Sequence, residues 1–107
     1  MNEPLMLLPR EEASLRIGRL HKAMDEAGID GLLVADNADI FYLSGRVYAG
    51  LAYIPAGMAP LWFVRRPVEL EGDGVVYIRK PEDMVSHIVD AGLAMPRRLG
   101  LELDILS

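Results

Sequence analysis

The chain has 107 residues, of which 51% are hydrophobic and 25% charged, and this is enough for one compact domain with its own core but not for two. Its 11 Lys and Arg against 16 Asp and Glu give a formal charge of −5, which argues against nucleic-acid binding because no broad positive face could form. The absence of cysteine excludes disulfides, thiolate metal sites and cysteine nucleophiles, and it favours a cytoplasmic protein.

The first predicted element is a helix from about Glu11 to Ala27. Apolar residues recur along it at spacings of three and four, and the acidic residues at its start suit the positive end of a helix dipole. Gly28 then supplies the stop. The apolar run Leu5 to Leu8 before this helix is far too short to cross a bilayer, so we expect it to pack against the domain or a neighbour, with no membrane partner.

Strand and helix patterns then alternate. The continuous apolar run from Ile29 to Ala35 predicts a strand buried on both faces of a sheet. The polar cluster Asp36 to Asp39 has the chemistry of a helix cap and predicts a short helix over Ile40 to Leu43. Residues 51–54 and 61–64 flank a turn rich in glycine and proline, which predicts an antiparallel strand pair.

The second half of the chain continues this alternation. We predict a strand over 75–78, a helix opened by Pro81 with acidic residues in its first turn, and a strand over 98–103. Asp104 has the chemistry of the N-cap of a further helix. The order of elements predicts one α/β domain over residues 1–107, with a mixed β-sheet flanked by helices.

Few residues of this sequence suit catalysis. The two histidines, His21 and His87, belong to no metal-binding motif. The acidic residues are scattered, and capping explains Asp36 and Asp39 better than acid–base chemistry does. Neither a phosphate-binding glycine loop nor a G-x-S-x-G setting for a nucleophilic serine is present. The sequence therefore predicts no catalytic residue and no metal ligand in this chain.

Several segments together carry a resemblance to a known family. They are Arg16-x-x-Arg19-Leu20, Gly28-Ile29-Asp30-x-Leu32-Leu33-Val34, Ile40-x-Tyr42-Leu43-Ser44-Gly45, Gly57 to Val64 and Gly100 to Asp104. This pattern spans nearly the whole chain and resembles the N-terminal domain of the creatinase/prolidase/Xaa-Pro aminopeptidase family. Two positions differ from it, because Asp39 stands where the family usually has Asn and Arg46 where it commonly has an aromatic residue.

The resemblance implies a fold and a division of labour. It implies a mixed sheet with a ribonuclease H-like motif, followed in the parent protein by a larger "pita-bread" catalytic domain. In that family two divalent metal ions (Mn, Co or Zn), held by two Asp, one His and two Glu of the catalytic domain, activate the water that attacks a bond next to proline. The metals are therefore expected in the catalytic domain, which is absent from this chain, and no cofactor is expected in residues 1–107.

The resemblance also implies partners for the domain. They are its own catalytic domain, further copies in a homodimer or higher homo-oligomer, and the peptide substrate of the parent enzyme. The high apolar content fits a surface that such a partner covers. If residues of this chain reach the substrate, Arg46, Tyr48 and Tyr53 are the candidates, because they follow the Tyr-Leu-Ser-Gly turn. Two alternatives stay open: a stand-alone α/β binding or regulatory module, and the N-terminal domain of a creatinase-like amidinohydrolase.

Overall fold

A computed structural model describes residues 8–105, without the side chains of Leu103 and Asp104, so most of the predicted apolar run before the first helix lies outside the described residues. Four helices and five strands make up this part of the chain. In chain order they are α1 (Arg10–Ala27), β1 (Gly31–Val34), α2 (Asn37–Ser44), β2 (Ala49–Pro55), β3 (Leu61–Arg66), β4 (Val75–Tyr77), α3 (Asp83–Asp90), β5 (Leu99–Leu101) and α4 (Glu102–Ile105).

The strands form one mixed sheet in the order β4-β3-β2-β1-β5. Strand β2 pairs antiparallel with both β1 and β3. The two edge strands pair in parallel, β4 with β3 and β5 with β1. The antiparallel pair predicted for residues 51–54 and 61–64 is thereby confirmed, and so is the α/β class with a mixed sheet. The register between β2 and β3 shifts at Ala49 and Gly50, where the ladder is irregular.

One face of the sheet is covered by α1 and α2. The apolar stripe predicted for the first helix supplies Leu20 and Met24, which pack with Ile40 and Leu43 of α2 against alternate residues of the strands. Each fully buried side chain of this size contributes about 1.5–3 kcal/mol through removal of its apolar surface from water. This larger core therefore holds both N-terminal helices on the sheet.

The opposite face of the sheet carries a smaller core. Tyr53, Phe63, Ile78 and Ile88 are its buried members, and α3 contributes Ile88. The ring of His87 lies 6.3 Å from the ring of Phe63, centroid to centroid, in a tilted arrangement. None of the helices in the described part of the chain combines the length and apolar character that a bilayer crossing requires.

Several boundaries differ from the sequence prediction, and two of the differences have a clear cause in hydrogen bonding. Helix α2 begins at Asn37 rather than at Ile40, because the Asp36 carboxylate accepts hydrogen bonds from the amides of Ala38 and Asp39 and caps the helix earlier. The strand predicted over 98–103 ends at Leu101, and Glu102 already begins α4, so the N-cap predicted at Asp104 is wrong. The Glu102 carboxylate accepts amide hydrogen bonds from the end of β1, which turns the chain out of the sheet.

Candidate functional site

The segment Gly28 to Val34 connects α1 to the sheet through β1. Gly28 has a left-handed backbone (φ 71°) at the C-cap of α1, a conformation that glycine adopts without steric cost. Ile29 packs against Gly100 of β5 so closely that a Cβ at Gly100 would lie 2.6 Å from Ile29 Cδ1. Gly28 is therefore favoured by its backbone conformation, and Gly100 by close packing.

Asp30 ties the same segment to the loop before β5. Its carboxylate accepts hydrogen bonds from the backbone amides of Arg97 (3.0 Å) and Arg98 (2.8 Å), and its own amide donates to Arg98 O (3.1 Å). These amide donors hold the pKa of Asp30 below its ordinary value, since they favour the ionised form. The acid of the Gly-Ile-Asp motif thus has a structural role, because it connects two loops.

The Ser44-Gly45 turn closes α2 and presents Arg46. Ser44 Oγ donates to Ile40 O (2.6 Å) and accepts from the Arg46 amide (2.9 Å). Gly45 has φ 72°, and a Cβ at this position would lie 2.8 Å from Leu8 Cβ. The hydroxyl and the glycine are both engaged in the turn itself, which explains this motif by local structure.

The three predicted substrate-rim residues do not converge. Tyr48 is 4% exposed in the core under α1 and α2, and its hydroxyl donates to Leu51 O (2.8 Å). Tyr53 is 2% exposed and belongs to the core on the opposite face. Burial raises the pKa of both hydroxyl groups, with the charge of Arg46 partly offsetting the rise at Tyr48. The contact of Arg46, Tyr48 and Tyr53 with substrate stays a prediction.

Arg46, but neither tyrosine, borders an open groove beside α1. The groove has a volume of about 700 Å³ and runs between α1, the end of α2, the turn before β3 and the loop before β4. Its charged and polar side chains include Arg10, His21, Ser44, Arg46 and Asp73. Sequence reasoning missed this groove, because its walls come from four segments and only the place of Arg46 after the Ser-Gly turn pointed to it.

A second polar cluster lies where β1 meets α2 and α4. Glu102 Oε1 and Oε2 accept hydrogen bonds from the amides of Ala35 (2.7 Å) and Asp36 (2.9 Å). Burial raises the pKa of Asp39 to about 6, and the hydrogen bond to the Glu102 carboxyl and the charge of Asp36 add to the rise. The cluster confirms the capping role predicted for Asp36, whereas the contact between Asp39 and Glu102 was not predicted.

This acidic cluster does not fit the pair of metal ions that the family resemblance implies. In the part of the chain that the structure describes, one group of three acidic side chains is close enough to share a metal ion. It consists of Asp36, Asp39 and Glu102, each of which has a carboxylate oxygen within 4.8 Å of one in the other two. The cluster has no histidine, and Asp36 Oδ1 and both Glu102 oxygens already accept backbone amides. It therefore lacks the imidazole of the ligand set that the resemblance implies, and two of its three carboxylates have capping roles.

Comparison with known proteins identifies the family. A sequence model of the creatinase/prolidase N-terminal domain matches residues 16–107. The chain belongs to this family. A solved structure described as the Xaa-Pro dipeptidase from Bacillus anthracis matches the fold with a TM-score of 0.63 and 24% identity, over 89% of this chain and 28% of that one. No curated protein sequence matches the chain.

The sequence motifs of the family have structural roles in this fold. At 24% identity the solved structure supports the fold alone, and the chain spans 28% of the length of that protein. The segments that carry the resemblance to the creatinase/prolidase N-terminal domain are the ones that cap α1, join β1 to β5 and close α2. Among the described residues these motifs build the scaffold.

Proposed function

We propose that the chain is the non-catalytic N-terminal domain of a metal-dependent Xaa-Pro peptidase, a dipeptidase or an aminopeptidase. The observation that carries the proposal is the family match over residues 16–107. Hydrolysis then belongs to a further, metal-binding domain of the parent protein, whereas the present chain contributes oligomer contacts and substrate access. The absence of cysteine supports a cytoplasmic location for the parent enzyme.

The hydrogen bonds of the motif residues support a non-catalytic role. Asp30 and Glu102 each accept two backbone amides, and Ser44 both donates and accepts a hydrogen bond within its own turn. A general base or nucleophile has to be positioned toward the substrate. Each of these groups is instead held by the backbone of this domain, so these acidic and hydroxyl candidates among the described residues have structural roles.

The test of the activity uses the 107-residue chain and the coding sequence that follows it. The chain alone is expected neither to cleave an Xaa-Pro dipeptide in the presence of Mn²⁺ nor to bind Mn²⁺ tightly in calorimetry. The proposal also expects a downstream domain of about 220–260 residues with two Asp, one His and two Glu as ligands. An in-frame stop after codon 107 would contradict the peptidase proposal.

The extended protein separates the peptidase from the related alternative. With the downstream domain present and Mn²⁺ supplied, we expect hydrolysis of an Xaa-Pro dipeptide and none of creatine. Hydrolysis of creatine alone would assign the parent to the amidinohydrolases, and activity on neither substrate would favour a binding or regulatory module.

Exposed apolar residues at the β5 edge support the oligomer contact. Leu99 and Leu101 are 53% and 55% exposed, and their register opposite Gly31 and Leu33 of β1 places them on the face of the sheet that carries the smaller core. Exposed leucines at a sheet edge are a typical feature of surfaces that another protein covers. We therefore place the proposed contact between copies at this edge.

Sedimentation velocity tests this contact. The wild-type chain is expected to self-associate as its concentration rises, and Leu99→Lys is expected to shift it to the monomer because a charge would be buried at the contact. Val68→Lys is the matched control, since Val68 is 71% exposed in the loop before β4. A wild-type chain that stays monomeric, or a loss of association in the Val68 variant alone, would contradict the proposal.

A further inference from the structure

The groove bordered by Arg46 has a positive charge although the chain as a whole is negative. Arg10 and Arg46 face one acidic side chain, Asp73, so the walls carry one net positive charge with His21 neutral. The chain has a formal charge of −5. A local excess of positive charge on an acidic protein favours an anion over a cation as the ligand of this groove.

The Arg46 guanidinium lacks a partner on the side that is shielded from water. Its Nη1 is buried, and among residues 8–105 it makes no hydrogen bond. A buried donor without an acceptor is costly, and more so when it is charged. Asp73 borders the same groove, but no ion pair joins it to Arg46 within the described residues. The guanidinium that lines the groove therefore has no acceptor among the described residues, and a ligand in the groove could supply one to its accessible atoms.

The fold holds this guanidinium in place. The Arg46 amide donates to Ser44 Oγ (2.9 Å), which fixes the backbone just after α2. The guanidinium lies directly on Gly72, so that a Cβ at Gly72 would overlap Arg46 Nη2. Gly72 therefore leaves the space that Arg46 occupies. Because its backbone and its guanidinium are both held in place, Arg46 loses less conformational entropy when it binds an anion than a mobile surface arginine does.

We propose that this groove binds a small organic anion that has one carboxylate and an apolar body. The carboxylate accepts a hydrogen bond from the Arg46 guanidinium, whose planar geometry suits carboxylates. Apolar wall residues, among them Ile17, Leu43 and Trp62, contact the body of the ligand. The volume of about 700 Å³ lies in the range of small-molecule sites, and the single net charge favours a monoanion over a phosphate dianion.

This binding function goes beyond the proposed peptidase role and does not depend on it. The groove is built entirely from residues of this chain, and it would bind its ligand whether or not a catalytic domain follows. The probes are 4-phenylbutanoate, its neutral counterpart 4-phenylbutan-1-ol, and inorganic phosphate. The single tryptophan, Trp62, lies in the groove wall, so its fluorescence reports binding directly.

In titrations of the 107-residue chain, 4-phenylbutanoate is expected to change the Trp62 fluorescence with a Kd of about 1 mM or below. The alcohol and phosphate should bind at least about tenfold more weakly, because a charge-assisted hydrogen bond is lost or the charge is wrong. In amide NMR spectra the shifts should centre on Arg46, Gly72 and Gly74. Absence of saturable binding, equal binding of the alcohol, or tighter binding of phosphate would each overturn the proposal.

Variants assign the binding to Arg46. Arg46→Gln is expected to weaken 4-phenylbutanoate about tenfold or more, whereas Arg65→Gln, the same charge change at an exposed site outside the groove, should leave Kd unchanged. Gly72→Ala should weaken binding too, because its Cβ displaces the guanidinium without removing the charge. Gly92→Ala is its control, since Gly92 also has a positive φ (79°) but has open space around it. Unchanged affinity in folded Arg46→Gln or Gly72→Ala would overturn the assignment.

Discussion

Gly50→Ala is expected to destabilise the domain by about 3 kcal/mol or more, the upper part of the range for overpacking. A Cβ at Gly50 would overlap the backbone oxygen of Phe63 on the neighbouring strand. Backbone in the middle of a sheet cannot move as a side chain can, so relief would require β2 and β3 to separate where their register already shifts. Chemical denaturation followed by circular dichroism would measure the loss of unfolding free energy.

Gly18→Ala is the matched control, and its expected effect has the opposite sign. Gly18 lies within α1, and a Cβ there meets no atom within 4 Å, so alanine adds helix propensity without a clash. We expect a gain of about 0.5–1 kcal/mol. A small loss in the Gly50 variant, comparable in size to the change at Gly18, would show that β2 and β3 are not packed as described.

The elements that could be predicted from the sequence are those with a local cause. The 3.6-residue spacing of apolar residues and the glycine stop gave α1 within one residue, because both signals lie inside the helix itself. The short apolar runs gave β1, β2 and β3 for the same reason. The end of β5 could not be predicted, since Glu102 leaves the strand to accept amides from a segment more than sixty residues earlier in the chain.

The groove beside Arg46 was not predictable for a related reason. Gly72 is separated from Arg46 by a strand pair and a loop, and its role becomes visible only when the guanidinium is seen lying on it. Tyr48 and Tyr53 follow the same turn in the sequence, yet Tyr48 precedes β2 and Tyr53 lies within it, and the two belong to cores on opposite faces of the sheet. The three residues were predicted to act together because they are close in sequence, but the fold separates them.

The departure from the family pattern at Asp39 has a physical consequence. The side-chain amide of an asparagine at this position could donate to the Glu102 carboxylate at any pH. Asp39 can donate only when it is protonated, and its pKa is raised to about 6 by burial, by the Glu102 contact and by the charge of Asp36. Near neutral pH three carboxylates therefore lie close together, whereas under mildly acidic conditions one of them holds a proton.

Asp39→Asn is therefore expected to stabilise the domain at pH 7 but not at pH 4. A carboxyl with a folded pKa of about 6 and an ordinary value of 3.8 binds protons more tightly in the folded state. Its contribution is complete below the ordinary value and is lost as pH rises through about 6. Because the group is partly solvated, we expect a gain of about 1 kcal/mol at pH 7, well below the full value of the shift.

Denaturant melts of wild type and Asp39→Asn at intervals from pH 4 to pH 7 would measure this gain as a difference that grows with pH. Glu71→Gln, which removes one negative charge from an exposed loop position, corrects for the net charge of the chain. The difference between the Asn variant and wild type should rise mainly between the ordinary value of 3.8 and the raised pKa of about 6, and it should level off above that pKa. A difference that is independent of pH, or one that Glu71→Gln reproduces, would show that Asp39 does not share a proton with Glu102 in the folded domain.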